Sequence, residues 1–201
     1  MNASIEEIVE LSKLHPIKVR NIYLYGSRVY GNCREDSDFD IMLIGCSLLE
    51  TQEICNDKYN VHIHVPSKFE DDLRKHDIHA LECIWAPDFA KLQIKRDYTN
   101  EFVLNKNRLK VMLLSQSYNA WNKGKMRIKD TDIYRGTKSI YHSLRILLFG
   151  IQIAKHGKIV DFSESNKLHD EILGSNQFEW SYFKDKYFSY KKELEENFKV
   201  A

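Results

Sequence analysis

Residues 25–44, YGSRVYGNCREDSDFDIMLI, decide how the chain is read. Just before Gly26-Ser27 comes a short apolar run, 21–25, with the pattern of a strand. Asp38 and Asp40 then open a second such run over 39–44. On a strand, residues two apart point to the same side, so the two aspartates share one face while Phe39 and Ile41 take the other. Carboxylates this close repel each other, and a divalent cation bound through oxygen is the usual remedy. Gly26 allows a sharp turn and close approach to a ligand, and Ser27 offers a hydroxyl and an N–H to a phosphate. A phosphate cradle beside a carboxylate pair suits nucleotidyl or phosphoryl transfer.

Gly-Ser, ten residues, then Asp-Phe-Asp-Ile resembles the signature of the DNA polymerase β-like nucleotidyltransferase superfamily. The fuller wording, Gly-Ser-Arg-x-x-Gly followed by Asp-Ser-Asp-x-Asp, is similar to its small prokaryotic-type members. The resemblance implies Mg²⁺ or Mn²⁺ on Asp38 and Asp40, and the β- and γ-phosphates of an NTP on Gly26 and Ser27. Arg28 is next in line and either adds a charge-assisted phosphate contact or is a surface guanidinium. Glu35 and Asp36 read as solvated loop charges.

Working outward, Ser4-Ile5-Glu6-Glu7 has the form of a capping box, and a helix should run from there to near His15-Pro16. Residues 48–55 suggest at most a helical turn. Residues 59–65, YNVHIHV, alternate as a third strand, with Tyr59, Val61, Ile63 and Val65 on one face and Asn60, His62 and His64 on the other. Here the chain departs from the family. Most active relatives carry a third carboxylate on this strand, as metal ligand and acceptor of the hydroxyl proton. Asn60 occupies the expected place and can ligate through its carbonyl oxygen but cannot act as a base. His62 is next along the face; it can be a base but suits Mg²⁺ poorly. Both histidines also read as partly exposed strand residues.

Ser67-Lys68-Phe69-Glu70 is a second capping box, leading into a helix to Lys75, and 78–85 form another helix before Pro87. Glu82 sits in that apolar helix, where a solvent-facing position is the default and an inward one would need a partner. His76, His79 and Cys83 cannot surround a zinc ion from one helix. Strands separated by helices mark residues 1–97 as an α/β domain.

Past residue 97 the periodicity becomes helical. Phe102, Leu109, Leu113 and Trp121 line one helix; Ile133, Ile140, Leu144, Leu147 and Ile151 line a second; Trp180, Phe183, Tyr187, Leu194 and Phe198 line a third. Gly157 and Gly174 are natural stops. The expected fold is thus α+β: a small polymerase-β-like palm, a mixed sheet with flanking helices, followed by an all-helical domain over 98–201. Arg135, Lys138, His142 and Arg145 form a basic stripe opposite the apolar side of the second helix, ordinarily a solvated face. Its wording, KSIYHSLR, resembles predicted nucleotidyltransferases related to the RNA-repair polymerase-β family. By that resemblance Lys138, His142 and Arg145 would help neutralise a triphosphate or a nucleic-acid end.

A formal net charge of +1 on 201 residues leaves any nucleic-acid surface to a local patch. The four cysteines show no paired spacing and read as free thiols, and no run reaches membrane-spanning length. A cytoplasmic protein is expected. The expected activity is metal-dependent transfer of NMP from an NTP to an acceptor hydroxyl, an RNA end or a protein side chain, with release of pyrophosphate. The alternatives are a catalytically weak nucleotide- or RNA-binding module and an antitoxin-like nucleotidyltransferase that modifies a protein.

Overall fold

The computed structural model describes residues 3–46 and 51–201. The chain divides into two compact units, Met1–Val103 and Leu104–Ala201.

The first unit opens with α1 (Ile5–Ser12). Ser4 caps it, its Oγ accepting the N–H of Glu7 at 3.3 Å. The box is closed indirectly. Ser4 donates its own N–H to the Tyr59 hydroxyl (2.9 Å), which donates in turn to Glu7 Oε2 (2.6 Å). The helix ends three residues before His15, because Lys13 turns left-handed at φ 56°.

Strands β1 (Val19–Tyr25), β2 (Phe39–Gly45), β3 (Gln52–Cys55), β4 (Tyr59–His64) and β5 (Lys91–Ile94) form one sheet in the order β3-β4-β2-β1-β5. Only β2 and β4 run parallel, so the sheet is mixed, as the resemblance implied. Strands β3 and β5 are additions to the sequence reading. Of the helical turn expected over 48–55, residues 48–50 lie outside the described residues and Gln52–Cys55 is a strand paired with β4. β5 is short and half-exposed, which leaves little periodic signal. It is fastened by the buried Asn21, whose Oδ1 accepts the N–H groups of Lys95 and Arg96 and whose Nδ2 donates to the Arg96 carbonyl.

Register sorts the two faces. Ile22, Leu24, Ile41, Leu43, Val61 and Ile63 lie on the α1 side and are buried. Tyr23, Tyr25, Asp40, Met42, Asn60 and His62 lie on the other, under α3 (Pro66–Lys75) and α4 (Ile78–Ile84). The Tyr23 ring stacks on Phe69 of α3 with centroids 6.1 Å apart. The capping box expected at Ser67 is not the start of α3. Pro66 occupies the first helical position behind Val65, since a residue without an N–H and with φ preset fits there.

The second unit is helical: α5 (Lys106–Lys129), α6 (Ile133–His156), α7 (Asn166–Leu173) and α8 (Trp180–Val200). Phe102, expected on the first of these helices, precedes α5 and belongs to the first unit, where it packs on His76 and Trp85, each ring 5.0 Å away. Helices α5 and α6 meet at Gly124 and Gly136. A Cβ on Gly136 would stand 3.0 Å from the Ile128 nitrogen and 3.2 Å from the Gly124 carbonyl oxygen, so this crossing needs glycine. Leu109, Leu113, Ile140, Leu144, Leu147, Phe183 and Phe198 are buried in the unit's core.

Candidate active site

Gly26 leaves β1 at φ 78°, ψ −157°, a conformation open to glycine. A Cβ here would lie 2.4 Å from Asp40 Oδ2, so the glycine also clears the space that the carboxylate fills. The turn and the acid strand therefore touch. Ser27 begins the four-residue helix α2 (Ser27–Tyr30), closed by Gly31 at φ 80°. (Chain order places it between β1 and β2.)

Arg28 has a definite task. Its guanidinium donates to the carbonyl of Asp38 (3.1 Å) and to that of Ser37, and it stacks over the Phe39 ring at 3.8 Å. It thereby ties the glycine turn to the acid loop. Within that loop the Arg34 N–H reaches Ser37 Oγ at 3.0 Å, Asp36 pairs with Arg34 at 2.7 Å, and Glu35 is exposed. Asp38 is exposed and Asp40 is half-buried.

Across the sheet, Asp40 is flanked by Tyr25 on β1 and Asn60 on β4. Asn60 Oδ1 accepts the Cys55 thiol of β3 at 3.2 Å. His62 Nε2 lies 3.6 Å from Glu53 Oε1, and burial holds its imidazole below the usual histidine range, against the pull of Glu53. Its ring meets Tyr25 edge-on, centroids 6.2 Å apart. His64 turns instead to α3, with Nδ1 3.3 Å from Asp72 Oδ2. Among the described residues, no group of three His, Cys, Asp or Glu side chains is gathered for a metal ion. The oxygen donors are Asp40 and, beside it in register, the Asn60 amide, with Asp38 exposed just before β2 and not on the strand as expected. That set suits Mg²⁺ or Mn²⁺ rather than zinc, and the Gly26 clearance leaves the Asp40 carboxylate lying against the turn.

From above the sheet, α4 brings groups that sequence reasoning missed or misplaced. Glu82 is not solvent-facing but 1% exposed, because α4 lies on the sheet with this side inward. Tyr30 of α2 donates to Glu82 Oε2 at 2.7 Å. Burial pushes the Glu82 carboxyl up to about 8; the His79 cation opposes this, while Asp77 and Asp40 add to it. Asp77 caps α4, its Oδ1 accepting the N–H groups of His79 (2.9 Å) and Ala80 (3.3 Å), and lies 3.5 Å from His79 Nδ1. Burial opposes the His79 charge, but the bond to Asp77 and the fields of Asp77, Glu82 and Asp40 outweigh it and lift His79 to about 9. The sequence did carry a signal here. Asp77 is a ready N-cap, and a histidine two residues later falls within its reach.

In the second unit, Lys138 is exposed and His142 half-buried on α6. Arg145 departs from the expected solvated stripe: it is 2% exposed, donates to His142 Nδ1 at 2.6 Å and lies 5.4 Å from the Phe149 ring centre. Burial pulls its guanidinium down to about 9. Helix α6 is enclosed over most of its circumference, so its polar side is not a free surface at this position.

A glycine turn pressed against a strand carboxylate, on a mixed sheet with helices on both faces, defines a nucleotidyltransferase-type fold. The profile of the family described as "Polymerase beta, Nucleotidyltransferase" matches residues 6–108, just over half of the chain. The chain belongs to that family. Among solved structures it is similar to a nucleotidyltransferase-like protein from Exiguobacterium sibiricum, at 11% identity and a TM-score of 0.36, over 97% of this chain and 73% of that one. No curated protein matches the chain. Among the described residues, no helix is long and apolar enough to cross a membrane.

Proposed function

We propose that the chain is a metal-dependent nucleotidyltransferase that moves NMP from an NTP to an acceptor hydroxyl. The observation that carries this reading is the contact between the Gly26 turn and the Asp40 carboxylate. That contact supports reading Gly26 as a polyphosphate-binding bend and Asp40 as a cation-binding acid within one ligand's length. Asp38, Asp40 and the Asn60 carbonyl would hold Mg²⁺ or Mn²⁺; when bound, the cation supplies charge neutralisation at the transferring phosphorus. Gly26 and Ser27 take the β- and γ-phosphates, and Arg28 keeps the turn and the acid loop together. The acceptor oxygen bonds to the α-phosphorus, the bond to the β-phosphate oxygen breaks, and pyrophosphate leaves with the electron pair. His62, next along the site face from Asn60, takes the hydroxyl proton. We favour an RNA end as acceptor, supported by the exposed Lys138 on the helix whose wording resembles RNA-repair relatives. The free cysteines 33, 46, 55 and 83 support a reducing, cytoplasmic setting.

A second reading, a nucleotide-binding module with little catalysis, is favoured by one observation: Asn60, which cannot be ionised, sits beside Asp40 in the parallel register. Incubation with each labelled NTP, Mg²⁺ or Mn²⁺ and a pool of RNA and protein acceptors separates the two. Transfer that disappears in Asp40→Ala supports the enzyme. Tight NTP binding with no transfer in either protein supports the module.

A further inference from the structure

We propose that His79, oriented by Asp77, is a second cationic contact for the polyphosphate of the nucleotide. The inference rests on the reading that the Gly26–Asp40 site takes an NTP, and it adds a residue from a helix outside the glycine-serine and aspartate elements.

Three geometric observations converge on it. Asp77 Oδ1 serves two purposes at once, capping α4 through the His79 and Ala80 N–H groups and lying 3.5 Å from the His79 ring nitrogen. The ring is therefore held beside the carboxylate that also caps its helix. The imidazole also stands edge-on to Tyr25, with centroids 5.9 Å apart and planes at 78°. Tyr25 is the residue before Gly26 and the strand partner of Asp40, so His79 stands over the root of the phosphate-type turn. Finally, 41% of the His79 side chain is open to solvent, whereas Glu82 on the same helix is enclosed.

The chemistry suits an anion. The groups facing His79 are Asp77 and Glu82 from α4, Asp40 from β2, and Tyr25 and His62 from the two strands flanking β2. Tyr25 stays a neutral phenol, since burial and the Asp40 charge both raise it. His62 and His79 flank the same tyrosine ring, and the Asp77 carboxylate, 3.5 Å from the ring nitrogen, favours the cation at His79. An accessible imidazolium next to a nucleotide turn makes charge-assisted hydrogen bonds to phosphate oxygens, which is the kind of contact that discriminates NTP from NMP.

The test uses inorganic tripolyphosphate with Mg²⁺ as the probe, on the full chain at pH 7. It combines calorimetric titration with the ¹⁵N-imidazole signals of His79. Wild type is expected to bind and to shift the His79 ring nitrogens. Loss of a charge-assisted contact should weaken binding about tenfold in His79→Ala. Asp77→Asn keeps the cap and unfixes the ring charge, so a smaller loss of roughly threefold is expected, with His79 titrating at lower pH. Should His79→Ala not fold, Asp77→Asn and the wild-type shifts decide. Unchanged affinity in folded His79→Ala overturns the proposal, as does no binding or no ring shift in wild type. Tripolyphosphate held through His79 with no transfer from any NTP would keep this inference and sink the nucleotidyltransferase reading. Undiminished transfer by His79→Ala would do the reverse.

Discussion

Replacing Glu82 by glutamine probes how deeply the helix α4 is seated on the sheet. The carboxyl ionises near 4.5 in an unfolded chain and near 8 in the fold. A raised carboxyl favours the protonated native state, so its contribution is fully present below pH 4.5 and is lost as pH rises through 8. At roughly 1.4 kcal/mol per tenfold change in proton affinity, the cost to the native state is about 1 kcal/mol at pH 5 and about 4 kcal/mol at pH 7.5. Glutamine has the shape of the protonated acid, keeps an oxygen for the Tyr30 hydroxyl, and cannot ionise. Glu82→Gln should therefore gain about 3 kcal/mol on wild type between pH 5 and pH 7.5. Urea unfolding followed through the amide NMR signals of β1 and β2 measures this in the α/β unit. An equal stability difference at both pH values would refute the reasoning, because it would mean that Glu82 does not titrate in this range.

Gly26→Ala places a methyl group where Asp40 Oδ2 now lies and forces φ 78° on alanine. It should cost about 1–3 kcal/mol and, with Asp40 displaced, cut NMP transfer by at least about a hundredfold, as initial rates with labelled NTP would reveal. Gly136→Ala presses on the Ile128 backbone at the α5–α6 crossing. A loss of about 1–3 kcal/mol is expected in thermal unfolding of the helical unit, without change in the sheet signals. In metal-free buffer Asp40→Asn loses a field that favours the His79 cation and relieves one that opposes ionised Glu82, so its stability should stay within about 1 kcal/mol of wild type. Adding Mg²⁺ should raise the melting temperature of wild type and leave Asp40→Asn where it was; an equal rise in both would place the cation elsewhere.

Much of the site is legible along the chain because it is made by local geometry. The glycine-serine bend, the two-residue spacing of the aspartates and the alternation of 59–64 all follow from backbone periods that neighbouring residues reveal by themselves. The edge strands β3 and β5 are different. They are short and largely exposed, and they exist because β4 and the side chain of Asn21 offer them hydrogen bonds from distant positions.

Periodicity assigns residues to a face but does not say what covers that face. Arg145 falls on the polar side of its helix and is nevertheless buried, since α6 is wrapped by its neighbours. Glu82 and His79 belong to one short helix, yet one is sealed beneath it while the other stays open to water beside Tyr25. The linear order of residues thus determined the acid pair, the turn and the strands that bear them. The tertiary structure alone decided which ionisable groups were drawn to that pair and what charge each would carry. Desolvation dominates those charges and depends on the packing of segments far apart in the chain; the field of Asp40 from β2 adds to what Asp77 supplies locally.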